Sequence, residues 1–184
     1  QKPAAADVLS VFAGQRPLAV PKEGSQKTKE ISRSHKIVVS TSNLFTMLGG
    51  KWTTYRKMAE DMLDNIEETM RWPKRRSMTK NLSIHGNMQA EQGDPFYFYG
   101  TDAACLNTEE EGWLSKTLHI HRSQIEWAVH NEMCRTIEDF LARRTRALIL
   151  DARESMYIAP QVAVIMGGLL EKDQHWIEEQ VHSF

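Results

Sequence analysis

Cysteine is almost missing from this chain. Cys105 and Cys134 are its only two cysteines in 184 residues. They lie far apart and form no C-x-x-C pair, which excludes a disulfide scaffold and a thiol-redox motif; both read as reduced, buried thiols of a cytosolic protein. No apolar run reaches the length of a membrane-spanning helix. The opening Gln1-Lys2-Pro3-Ala4-Ala5-Ala6 has no apolar signal region and reads as a cut inside a longer protein. An excess of charge of one sign is also absent. The 23 Lys+Arg against 24 Asp+Glu give a formal net charge of -1, which argues against a dedicated nucleic-acid binder, since those carry a strong basic excess. A hydrophobic content of 41% still suffices for a core. The length suits one domain, or one domain with a fragment of another.

The most telling stretch is Gly49-Gly50-Lys51-Trp52-Thr53-Thr54-Tyr55-Arg56-Lys57. An apolar run, residues 44–48, leads into two glycines. A helical pattern follows, with Met58, Ala59, Met62, Leu63 and Ile66 at 3.6-residue spacing. Glycines let a backbone approach a ligand closely, and the free N–H groups of a helix start favour anions. The pattern therefore suits an anion or a negatively polarised ring. An ordinary strand-to-helix turn with solvated charges explains these residues equally well.

Around that stretch the chain divides. Residues 8–20 read as a buried strand ending at Gly14, with Arg16 held extended by Pro17. Residues 21–30 read as a loop, 31–40 and 44–48 as two further strands, and 53–71 as a helix ended by Trp72-Pro73. His35 reads as a satisfied structural histidine. Residues 73–104 read as an irregular linker whose aromatics Phe96, Tyr97, Phe98 and Tyr99 must pack somewhere. From 105 to 184 the chain reads as helical. Thr108 and Ser123 each open a capping box. The second box starts a long helix over 124–149, with Ile125, Val129, Met133, Ile137, Phe140, Leu141 and Leu148 on one stripe. Asp151–Tyr157 extends it after a bend, Pro160 opens a further helix, and Asp173 caps the last one. His119 and His121 are expected on opposite sides of a helix, which argues against a metal pair.

The string GGKWTTYRKMAEDML resembles the GGK-x-TTYRKMAED signature of FAD-dependent glycerol-3-phosphate dehydrogenases. Three more segments resemble that family in the same order: Ala13-Gly14-Gln15-Arg16-Pro17-Leu18 its AG-x-RPL, Ile31-Ser32-Arg33-Ser34-His35 its SR-x-H, and IEWAVHNEMCRTIEDFLARRTRALILDAR its long helical motif. The resemblance covers nearly the whole chain. The family's glycine-rich G-x-G-x-x-G turn, which seats the FAD pyrophosphate, does not occur here. The chain thus looks like the enzyme's C-terminal part, without most of its flavin domain, and is expected to be inactive alone. No D-x-D-x-D-G calcium loop occurs, so the calcium-regulated form of the family is not supported.

The resemblance implies an α+β fold, mostly α. Residues 1–72 would be a small β piece completing the flavin and substrate domain, 73–104 a linker, and 105–184 a C-terminal helical domain. It implies oxidation of sn-glycerol 3-phosphate to dihydroxyacetone phosphate with FAD, electrons passing to the quinone pool. Arg16, Arg33 and Lys51 would bind substrate, Lys51 would also be catalytic, and Gly49, Gly50, Lys51 and Thr53 would bind cofactor. Three cations brought together this way repel by about 4 kcal/mol per pair at 4 Å and an effective dielectric of 20; a phosphate between them reverses the sign. The implied location is cytoplasmic, with peripheral contact on the inner face of the membrane. An oxidase using oxygen is a close rival. The other class of reading makes residues 105–184 a module for homodimerisation or membrane docking.

Overall fold

The computed structural model describes residues 2–15, 35–88, 93–106 and 109–184. The chain forms two compact units, one of Gly14–Ile84 and one of Gln1–Ala13 with His85–Phe184. It is α+β and mostly α, as the sequence implies.

In the first unit, strands β1 (His35–Val39) and β2 (Phe45–Gly49) pair antiparallel, with His35 opposite Gly49 and Ile37 opposite Met47. Period-two alternation turns Ile37, Phe45 and Met47 partly inward. A 3-10 turn, Trp52–Thr54, leads into helix α1 (Tyr55–Thr69). Met58, Met62 and Ile66 are half-buried, but Ala59 and Leu63, expected on the same face, are exposed. No described residue of this unit is fully buried. A third strand over residues 8–20 does not appear in the described part of that stretch. Val11 and Phe12 are exposed, and residues 6–10 instead run along the helical unit. Leu9 O accepts from Ala152 N, Ser10 Oγ donates to Leu148 O, and Ala6 O accepts from Arg153 Nη1.

The helical unit starts earlier than 105. Phe96, Tyr99 and Leu106 are buried in a small core with Trp113 and Trp127 packed against it, and Phe96 stacks on Trp113 at 5.6 Å. These contacts place Phe96, Tyr99 and Leu106 in a core of this unit. Helix does not follow at once. Thr108 lies outside the described residues, and Glu110–Gly112 form a single 3-10 turn. Strands β3 (Trp113–Ser115) and β4 (Ile120–His121) then make a short hairpin. His121 caps helix α2 (Arg122–Asn131) in place of Ser123: its Nδ1 accepts from Ser123 N at 3.1 Å, and Gln124 Oε1 accepts from His121 N at 2.6 Å. His121 Nε2 meets Glu109 O at 2.8 Å.

The expected long helix over 124–149 is broken. Met133 has φ +53° and is exposed. Thr136 then restarts the chain: its Oγ1 accepts from Asp139 N at 3.1 Å, while Asp139 Oδ2 accepts from Thr136 N and Arg135 N at 3.1 Å each. This reciprocal cap outcompetes continued helix, as Thr and Asp do when they bond nearby backbone. A π-helical segment follows at Asp139–Arg144, then short helix α3 (Ala147–Leu150). Helix α4 (Ala152–Leu169) is capped by the Asp151 carboxylate at 3.0 Å from Arg153 N and Glu154 N. Pro160 lies inside α4 on its exposed side instead of opening a new helix. The buried face, including Ile158, Val162 and Met166, outweighs the roughly 3 kcal/mol that an interior proline costs. Helix α5 (Gln174–Ser183) is capped by Asp173 as expected. Gly167 lets α5 close in, because a Cβ there would lie 2.9 Å from Ile177 Cγ1. Helix α4 packs against α2, α3, α5 and β3, around a core holding Ile125, Ile137, Phe140, Leu141 and Cys134. Cys134 is fully buried; Cys105 is exposed, against the expectation that both are buried.

Candidate functional site

Gly49 and Gly50 adopt φ +72° and +83°, a left-handed backbone that residues with a Cβ enter only at a cost. Two such residues in a row swing the chain out of β2. Lys51 is then extended, and Thr54 Oγ1 closes the turn by donating to Lys51 O at 2.9 Å. Lys51 is exposed, and its ammonium has no hydrogen-bond or ion-pair partner among the described residues. Thr53 is exposed beside it. An unpaired ammonium and a hydroxyl at a helix start suit an oxyanion or the electron-rich edge of a ring.

The two glycines have different causes. A Cβ on Gly50 would stand 2.5 Å from the flexible end of Met58 and 3.3 Å from His35 Cβ, and the left-handed backbone at φ +83° favours glycine there with or without a ligand. A flavin edge fits the accessible side chains of Lys51 and Thr53. The Gly50 cradle is filled by Met58.

Arg16 and Arg33 lie outside the described residues. His35 is a satisfied histidine: its Nε2 is 2.9 Å from Asp61 Oδ2. Asp61 Oδ1 accepts from Lys57 Nζ at 2.6 Å. That hydrogen bond, with the Lys57 and His35 charges, outweighs burial and holds the Asp61 carboxyl below the usual aspartate range; the same bond holds the Lys57 ammonium above its usual value. The His35–Asp61 bond could not be read from the sequence, because only the strand–helix packing creates it. Lys74, Arg75 and Arg76 are exposed, in keeping with a solvated face. Among the described residues no cluster of three or more His, Cys, Asp or Glu could hold a metal, and no helix is long and apolar enough to cross a membrane.

Arg144 and Asp139 bond the helical motif's own backbone. Arg144 donates through Nε and Nη2 to Glu132 O at 3.1 and 2.5 Å. Arg143 forks to Asp139 and Glu138. Burial pushes the Asp139 carboxyl up, but the hydrogen bonds from Arg135 and Thr136 outweigh it and bring it below the ordinary range. Burial pushes Glu132 up, against the pull of Arg144 and a bond from Trp127. The capping box Thr136-x-x-Asp139 was available in the sequence as a helix-start signal, and the continuous apolar stripe obscured it.

These parts define an α+β chain in which a hairpin and helix present a free cation, followed in sequence by a helical domain held by its own charged motif. The chain belongs to the family described as the C-terminal domain of alpha-glycerophosphate oxidase, which matches residues 45–177. It is 27% identical to the mitochondrial glycerol-3-phosphate dehydrogenase of Macaca fascicularis, over 96% of this chain and 28% of that protein. With the mitochondrial enzyme of Saccharomyces cerevisiae it shares 26% identity, over 97% of this chain and 36% of that protein. With a probable glycerol-3-phosphate dehydrogenase of Encephalitozoon cuniculi it shares 30%, over 92% and 30% respectively. The chain thus spans about a third of the length of the curated relatives it matches. No solved structure matches.

Proposed function

We propose that this chain serves as the C-terminal part of a flavoenzyme that oxidises sn-glycerol 3-phosphate to dihydroxyacetone phosphate, and that it is inactive by itself. The observation that carries this is the turn at residues 49–54: the family match includes it, and its exposed Lys51 is unpaired where the resemblance requires a substrate and flavin contact. Arg16 and Arg33 hold the phosphate through forked, charge-assisted hydrogen bonds. Lys51 stabilises negative charge on the reacting oxygen or the ring edge, and Thr53 lines the same edge with Gly49. FAD, when bound, supplies the two-electron oxidant. The substrate loses two electrons and two protons, and the electrons leave to a quinone at the inner face of the membrane.

Oxygen is the second candidate acceptor, because the family description names an oxidase while the relatives are named dehydrogenases. The test is turnover of the flavin-loaded full-length protein with glycerol 3-phosphate. Quinone-dependent turnover without hydrogen peroxide supports the dehydrogenase. Stoichiometric peroxide supports the oxidase. No turnover with either acceptor overturns the substrate assignment.

A further inference from the structure

Among the described residues one polar tie joins the hairpin to α1, and it sits directly behind the Gly49-Gly50-Lys51 turn. His35 opens β1 opposite Gly49. Its Nε2 reaches Asp61 Oδ2 at 2.9 Å, two turns into α1, while Asp61 Oδ1 is held at 2.6 Å by Lys57. Among the described residues no other hydrogen bond or ion pair links the hairpin to the helix. The same histidine backs the glycine turn: its Cβ and the Met58 thioether both border the place that a Cβ on Gly50 would take. His35 of β1, with Met58 and Asp61 of α1, therefore fixes where β2 ends and where Lys51 begins.

We propose that His35 and Asp61 are positioning residues for Lys51, and that Lys57 acts through Asp61 by orienting its carboxylate. This rests on the reading of Lys51 as a substrate and flavin contact. Asp61 has one oxygen on its own helix and one on the hairpin, so it resists rotation, and the histidine it holds cannot leave the glycine turn. A ligand edge placed by Lys51 is sensitive to such a support, since a displacement of about 1 Å costs on the order of a hundredfold in rate.

The test uses the flavin-loaded full-length protein and compares His35→Ala, Asp61→Ala, the double variant, His35→Gln and Lys51→Ala. The readouts are flavin content, melting temperature, and kcat and KM for glycerol 3-phosphate. His35→Ala and Asp61→Ala are expected to lower kcat about tenfold or more at unchanged flavin content. The double variant should be no worse than either single one. His35→Gln, which keeps an N–H donor near the Nε2 position, should recover most of the rate. A fall in melting temperature with kcat unchanged, or no recovery in His35→Gln, would overturn the positioning role. Lys51→Ala separates the two claims. If it leaves kcat and KM intact, the reading of Lys51 itself fails. If it abolishes turnover while His35→Ala and Asp61→Ala do not lower kcat, only the positioning proposal fails.

Discussion

Asp139 shows how one side chain can decide the local path of the chain. Its carboxylate closes the cap that restarts the helix and also anchors Arg143. Asp139→Ala is expected to cost about 1–2 kcal/mol in a denaturant titration at neutral pH. Because the folded carboxyl titrates below its unfolded value, this stabilisation is present above the unfolded pKa and fades as pH falls through the folded one. The parent and variant should therefore converge in acid. Glu132 behaves in the opposite sense. Its folded pKa is raised, so its ionisation opposes folding, and Glu132→Gln should gain stability relative to the parent as pH rises from the unfolded glutamate range to neutrality. The two cysteines make a third contrast. Cys134 is buried, with its thiol pushed up to about 12, first by burial and then by the Asp139 charge, whereas Cys105 is exposed. A thiol reagent should label Cys105 in the native protein and Cys134 only on unfolding.

At the scale of elements, the glycine turn shows what was legible in the sequence and what was not. The strand–Gly-Gly–helix order could be read directly, as could the Asp173 cap, because each depends on neighbours a few residues apart. The role of Gly50 could not, since Met58 and His35 reach it only after β1, β2 and α1 have packed. Gly50→Ala should destabilise the protein by about 1–2 kcal/mol, chiefly through the left-handed backbone, with a smaller share from displacing the end of Met58. A thermal melt would show it, and the stability should return only in part in Gly50→Ala/Met58→Ala, because the backbone strain remains. The broken helix after Asn131 misled the periodicity argument for a related reason. Ile125, Val129, Ile137, Phe140 and Leu141 all reach one core, but from α2 and from the segment restarted after Thr136 instead of one stripe. Apolar spacing reports burial, and local polar competition by Thr136 and Asp139 sets the path. In the candidate site, Lys51 and Thr53 were singled out by the motif, and both are exposed. His35 was read as a satisfied histidine, which its bond to Asp61 bears out, while the partner itself was not foreseen.

At the scale of the whole chain, the two units differ in how much they bury. The helical unit encloses a core from β4, α2, α3, α4 and the π-helical segment, whereas the described part of Gly14–Ile84 has no fully buried residue. Hydrophobic stabilisation follows apolar burial, so hydrogen exchange should be slow in α2 and α4 and fast in β1, β2 and α1. Equal protection in both would contradict that account. The same contrast bears on function, because the unit presenting Lys51 is the one with the least support of its own. The most direct test is anaerobic mixing of glycerol 3-phosphate with the flavin-loaded full-length protein and its Lys51→Met variant, followed by visible absorption. The account predicts rapid bleaching in the parent and bleaching slowed by at least a hundredfold in the variant, about 2.7 kcal/mol of barrier, at equal flavin content. Equal bleaching rates in the two would contradict the placement of Lys51 at the reacting centre.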